Sequence, residues 1–210
     1  MVAATQDSQA LSVERIIDAA LTIADRDGIE AVTMRAVGTS LGTAAMSLYR
    51  HVPSKDALLE LMADRALAEL PHPDPAGDWR EQIHGFFLAF HDLLLLHPAV
   101  ARTMVEMTLA GPELSVRGEN VLTCLLAGGL DEATAAQAIT ALTWQTVGGA
   151  LYALARLNPA HEDRSIRLRT LPKEQFPSVY RVAPFLEEDA SRDHFSGALR
   201  HLIHGYEPAA

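Results

Sequence analysis

The sequence predicts an all-α chain in two parts, a small helical unit followed by a larger one. Three observations carry this. Ala and Leu dominate while β-branched runs are few. Apolar residues recur at helical spacing, with almost no period-2 alternation. A stretch that cannot continue a helix, Pro71-His72-Pro73-Asp74-Pro75, interrupts the pattern.

The 210 residues are enough for one large domain or two small ones, and 49% hydrophobic against 21% charged is a globular composition. The single cysteine, Cys124, excludes an intrachain disulfide and any zinc site built on cysteines. No basic segment precedes an apolar one at the N-terminus, so no secretory signal is expected. The longest apolar stretch, 86–90 and 93–96, is broken by His91 and Asp92 and falls short of a membrane span. The expectation is a cytoplasmic protein that does not meet a membrane.

The elements follow in order. Residues 1–10 read as a flexible tail. Ser12 can cap a first helix, with Glu14 in its first turn and Ile16, Ala20, Ile23 and Ala24 as its buried stripe. Gly28 supplies the stop. Thr33 caps a second, short helix to Leu41, and Gly42 makes a turn. A third helix is expected over 43–51, ended by Pro53. Ser54 caps a fourth through Leu70, and 71–77 is the linker candidate.

Asp78 then opens a long, very apolar helix to His97, expected to be buried on most sides. Pro98 starts the next, ending at Gly111. Pro112 or Glu113 begins another, stopped at Gly128-Gly129. Asp131 caps a long helix to Leu157. The 158–183 segment is charged, holds three prolines and reads as a loop. The last helix shows Phe195, Leu199, Leu202, Ile203 and Tyr206 along one face.

Charge is distributed unevenly. The net charge of −10 argues at first against a nucleic-acid partner. Yet residues 33–55 contain Arg35, Arg50 and Lys55 and no acid. This is the segment where two short helices meet at Gly42 behind a longer one, the spacing of a helix-turn-helix unit. Val37, Leu41, Leu48 and Val52 are its expected apolar anchors. The N-terminus of the third helix then presents Thr43, Ala44, Ala45 and Ser47 toward a major groove. Thr33 and Lys55, each at a helix start, suit phosphates.

Residues 12–70 resemble the DNA-binding domain of the TetR family. The match lies in Gly28-Ile29-Glu30-Ala31-Val32-Thr33-Met34-Arg35, Leu41-Gly42, Ser47-Leu48-Tyr49-Arg50-His51-Val52 and Lys55-Asp56-Ala57-Leu58-Leu59. The remainder resembles that family's ligand-binding and dimerisation domain in helix order. The resemblance implies a helix-turn-helix domain at 11–53 and a helical ligand-binding and dimerisation domain at 54–210. It implies a base-reading role for Arg35, phosphate contacts for Thr33, Tyr49, His51 and Lys55, and a groove-facing surface of Thr43, Ala44, Ala45 and Ser47. Ala44, Ala45 and Met46 depart from a polar reading helix, so alanine methyls meet thymine methyls and DNA shape shares in recognition. Tyr49 and His51 have packing against the fourth helix as their alternative role.

The resemblance further implies a homodimer on a near-palindromic operator, since one head reads one half-site. It also implies an unidentified small-molecule effector, with no cofactor required. Candidate ligand residues are Phe87 and His91 on the long apolar helix, Met104 and Met107 on the next, and Trp144 and Tyr152 on the 131–157 helix. Ordinary core packing is the alternative for each. Gly148 and Gly149 line either a subunit interface or the pocket. His194, His201 and His204 share a face, but no metal is expected. Control by a protein partner instead of a small ligand is the alternative regulator. An enzyme is not expected, because no Gly-rich phosphate loop and no nucleophile–base pairing is present.

Overall fold

The computed structural model describes residues 10–106, 111–157, 170–186 and 191–208. Among these residues every regular element is helical. The N-cap chemistry expected from the sequence is in place at several helices. Helix α1 (Val13–Asp27) begins where Ser12 Oγ accepts the Arg15 N–H, and it ends at Gly28, whose φ of 85° suits glycine. A single 3₁₀ turn, Ile29–Ala31, leads to Thr33, which caps α2 (Met34–Ser40) through the Ala36 N–H.

Helix α3 (Ala45–Leu48) is shorter than the expected 43–51. Its cap is Ala44, because the Thr43 N–H is taken by the Gly38 carbonyl at 2.8 Å. At its other end the Leu48 carbonyl receives both the His51 and Val52 N–H groups, which closes a tight turn over Tyr49, Arg50 and His51. Helix α4 (Lys55–Leu67) is capped by Ser54 and stops three residues before the expected Leu70. There the carbonyls of Leu67 and Ala68 turn to the Arg117 guanidinium.

Helix α5 (Trp79–Leu96), capped by Asp78, is the apolar centre of the second part. It meets α6 (Pro98–Glu106) at a bend of 105°, and no single described helix is long and apolar enough to cross a membrane. Helices α7 (Pro112–Ala127) and α8 (Glu132–Arg156, capped by Asp131) complete its walls. The expected 158–183 loop is corrected in its second half. Helix α9 (Pro177–Leu186) begins there, with Pro177 at the first turn, where its missing N–H is not needed. Helix α10 (Arg192–His204) closes the fold, and its Phe195, Leu199 and Ile203 are buried against the chain's own core. The 1–9 tail, the 107–110 end of the α6 segment and the 158–169 part of the loop lie outside the described residues.

Two cores form. One is built by α1, α2, α3 and the first half of α4 (Leu58, Leu59 and Met62), with Ala99 of α6 added. The other takes the second half of α4 (Ala63, Ala66 and Leu67) with residues of α5, α6, α7, α8 and α10. The buried contacts thus pass from one core to the other inside α4, between Met62 and Ala63. The expected division at 53/54 falls just before that helix.

Candidate nucleic-acid interface and ligand cavities

The angle between α2 and α3 is set by a close approach at Gly38. A β-carbon there would sit 2.9 Å from the Thr43 carbonyl oxygen and 3.2 Å from the Ala45 nitrogen. Gly42, at φ 66°, makes the turn between them. Val37, Leu48 and Val52 are fully buried beneath, and Leu41 is half-buried. Sequence reading found Gly42 and missed Gly38. A glycine inside a helix shows its reason only once the neighbouring backbone is in place.

On this frame Thr33, Arg35, Ala44, Tyr49 and His51 are exposed, while Thr43, Ala45, Ser47 and Lys55 are half-buried. Ala45 packs partly on the first core. Met46, at 75% exposure, stands out from α3, and Tyr49 is 45% exposed. The Thr33 hydroxyl is engaged in capping its own helix. Among the described residues, the side chains of Arg35, Arg50 and Lys55 make no hydrogen bond or ion pair. By contrast Arg26, Arg65, Arg117, Arg192 and Arg200 each face a carboxylate. These cations stand in a 33–55 segment that contributes no acid of its own, although Asp27 borders the same hollow as Thr33 and Arg35.

The head is tied to the second part at two places. The His97 ring nitrogen lies 3.1 Å from the Asp25 carboxylate, joining the α5–α6 bend to the end of α1. Helix α4 is clamped by α7. Asp64 accepts the Glu113 and Leu114 N–H groups, and Arg117 donates to the Leu67 and Ala68 carbonyls. These pairings are long-range and left no trace in the sequence pattern.

Four of the six candidate ligand residues fall into two cavities. An apolar one of about 60 Å³ brings Phe87 and Met104 together with Leu67, Phe90, Arg117 and Gly118, between α4, α5, α6, α7 and α8. A larger one of about 300 Å³, between α5, α8 and α10, brings His91 and Tyr152 together with Gly148 and Gly149. Trp144 lines neither cavity and is 73% exposed. The inward stripe of α8 is Leu142, Thr146, Ala150 and Ala153, and position 144 lies on the other side of the helix. Met107 is outside the described residues.

Both glycines of α8 border the larger cavity. At Gly149 a β-carbon would press on the Phe195 ring at 3.1 Å, whereas at Gly148 it would meet nothing within 4 Å. His91 stacks on Phe195 with ring centroids 3.9 Å apart. Burial pushes its imidazole below the ordinary range, partly opposed by Asp92. Burial, aided by Arg200, does the same to His84, which meets Ser196 Oγ at 3.0 Å. Burial raises the Cys124 thiol, consistent with an inert core residue. His201 and His204 each direct Nδ1 to a carbonyl of their own helix.

Comparison with known proteins places this architecture. Residues 16–62 match the family model for bacterial regulatory proteins of the TetR family, and residues 70–209 match the tetracycline repressor-like C-terminal domain. The HTH-type transcriptional repressor DrrR1 of Streptomyces coeruleorubidus is 31% identical, over 94% of this chain and 77% of its own length. The class C tetracycline repressor protein of Escherichia coli is 27% identical, over 94% and 91%. Among solved structures, ActR of Streptomyces coelicolor in complex with (S)-DNPA aligns at a TM-score of 0.84 and 32% identity, covering 94% of this chain and 98% of that one. The ActR complex with actinorhodin gives 0.84 and 30%, over 94% and 97%. The chain belongs to the TetR family and is a DNA-binding transcriptional regulator.

Proposed function

We propose that the chain acts as a homodimeric repressor on a near-palindromic operator and is released from it by a small molecule bound in the second domain. The observation that carries the DNA half of this reading is that Arg35, Arg50 and Lys55, in a 33–55 segment without acids, make no hydrogen bond or ion pair among the described residues. Arg35 reads a base edge from α2. Thr33, Tyr49, His51 and Lys55 hold phosphates. Thr43, Ala44, Ala45 and Ser47 meet the groove, and the exposed Met46 beside them adds an apolar contact for a thymine methyl.

A twofold partner is required because one head spans one half-site. The exposed side of α8 at Trp144, beside the Gly197 side of α10, offers a surface for a second copy. The Phe195, Leu199 and Ile203 side chains of α10 are packed in the chain's own core and leave the helix's other side to a partner. In the second domain an effector acts only if it binds one arrangement of the heads better than the other. The α4 helix, shared by both cores and clamped by Asp64 and Arg117, is the element that carries this difference. Phe87 and Met104 in one cavity and His91 and Tyr152 in the other remain the ligand candidates. We read the chain as a regulator without an enzymatic role.

The test is fluorescence anisotropy on a labelled duplex from immediately upstream of its own gene, with a scrambled duplex and a salt series beside it. The reading expects tight, salt-dependent binding that prefers the native fragment, and release by a small molecule. Equal weak binding to both duplexes counts against it. Control by a protein partner is the second reading, favoured by the exposed Val182 and Phe185 on α9. It expects release by that partner and none by small molecules.

A further inference from the structure

We propose that the junction between the head and the second domain is a two-position catch. Asp25 with His97 holds the present position. Glu30 with Arg102 holds a second one, reached when the head rocks toward α6 and closes the cleft between them. The catch rests on the proposed function, because it supplies two arrangements of the heads for an effector to choose between.

The first support is the place of His97. It is the one residue between α5 and α6, at their bend of 105°. Its N–H goes to the Leu93 carbonyl of α5, and its own carbonyl receives the Val100 N–H of α6, both at 2.9 Å. A change in the angle of the bend therefore moves the His97 ring. That ring reaches across to the head, where Nδ1 lies 3.1 Å from each oxygen of Asp25. Asp25 stands in the last turn of α1, the negative end of the helix, which disfavours a carboxylate unless a base meets it.

A cleft beside this contact is the second support. About 180 Å³ of space lies between Asp27, Gly28 and Glu30 of the head and Pro98, Ala99 and Arg102 of α6. Ala99 also packs in the head's own core, at 4% exposure. It gives the head a fulcrum with open space next to it.

Unpaired charge is the third. Glu30 and Arg102 line the cleft from opposite sides, and both are exposed. Among the described residues neither side chain makes a hydrogen bond or ion pair. Asp27, the other acid of the cleft, is already held by Arg26 at 2.6 Å. Closing the cleft lets Glu30 and Arg102 meet. Exposed ion pairs contribute little, so the two pairs bias positions close in energy and lock neither. A modest difference in effector affinity then tips the balance.

The experiment places cysteines at Glu30 and Arg102 in the full chain and follows their disulfide formation in oxidised glutathione, without DNA. Cys124 is fully buried and stays out of the exchange. A disulfide needs Cα atoms within roughly 7 Å, so its rate reports how often the cleft closes. The proposal expects an intrachain disulfide, formed about two- to fivefold faster when Asp25→Asn weakens the first pair. The oxidised and reduced forms are then compared on DNA by anisotropy, with an expected difference in affinity of about tenfold or more. A second arm needs no cysteine. Glu30→Arg and Arg102→Glu are made alone and together, and their effects on DNA affinity are expected to depart from additivity by about two- to fivefold. Should the cysteine variant fail to fold by circular dichroism, this cycle decides. Cysteines that do not join, a rate unchanged by Asp25→Asn, or strict additivity of the two reversals would overturn the catch. Equal affinity of the oxidised and reduced forms would overturn its regulatory role. If neither form binds DNA, the DNA reading fails, and the disulfide rates still decide the catch.

Discussion

Asp64 on α4 caps α7 from outside, its carboxylate oxygen 2.9 Å from the Glu113 N–H. The Leu114 N–H reaches the same oxygen, and a β-carbon on Gly111 would collide with it. The exchange is mutual. From the next turn of α7, Arg117 donates to the Leu67 and Ala68 carbonyls at the end of α4, while its guanidinium lies 3.3 Å from Glu113. An acid of α4 thus sits at the positive end of α7, and a base of α7 at the negative end of α4. Helix α4 begins at Lys55 beside the tight turn that follows α3 and ends on the wall of the apolar cavity. Movement at either end is therefore felt by the same clamp.

This clamp gives the first prediction. Arg117→Met strands two carbonyls, and Asp64→Ala strands two N–H groups. Each is expected to lower stability by about 1–3 kcal/mol, read as a lower urea midpoint at unchanged slope. A shift equivalent to less than about 0.5 kcal/mol in both would remove the clamp from the account.

Gly38→Ala tests the close approach of α2 and α3. The added β-carbon meets backbone on two sides, at 2.9 and 3.2 Å, and backbone cannot swing away. The expected cost is about 1–3 kcal/mol, with DNA affinity falling about tenfold as the reading helix shifts. Gly118→Ala is the control. Its β-carbon meets nothing within 4 Å, so it is expected to be neutral or to stabilise by up to about 1 kcal/mol.

Arg35 and Lys55 should separate base reading from phosphate holding. Arg35→Ala is expected to weaken specific binding by about 1–3 kcal/mol with a smaller effect on scrambled DNA. Lys55→Ala should weaken both alike and reduce the salt slope by about one. Anisotropy titrations on both duplexes over a salt series measure the two effects together.

What was legible in the sequence was chemistry acting over three or four residues. Ser12, Thr33, Ser54, Asp78 and Asp131 all cap where their spacing to the next apolar stripe put them, because a cap is a local bond. The short α3 was misjudged because its start is set by a bond from Thr43 to Gly38 on another helix. Pro177 was read as a breaker although a first turn accepts proline. Trp144 was misplaced because α8 is rich in Ala and Gly, which leaves its inward face poorly marked. The candidate DNA-contacting residues lie close together in the chain, so the sequence names them as a group. The two cavities are assembled from residues far apart, so His91 and Tyr152 could be named but not paired.

Acid should destabilise this fold through His84 and His91, both held below the ordinary imidazole value of 6.5 chiefly by burial. Above 6.5 neither the folded nor the unfolded chain holds these protons, and they contribute nothing. Below it the unfolded chain takes up protons that the folded chain refuses, so stability falls as pH falls. The urea midpoint is expected to drop as pH falls below about 6.5, and His91→Phe should flatten part of that decline. An identical slope in the variant would mean that His91 titrates alike in both states.

The central claim is that this helix-turn-helix surface reads a twofold DNA sequence. Selection of duplexes from a random library by the purified chain, followed by sequencing, tests it most directly. The account predicts enrichment of two related half-sites about 10 base pairs apart, centre to centre, and symmetric about their midpoint. Retention of DNA with no enriched sequence, or enrichment of a single asymmetric site, would contradict it.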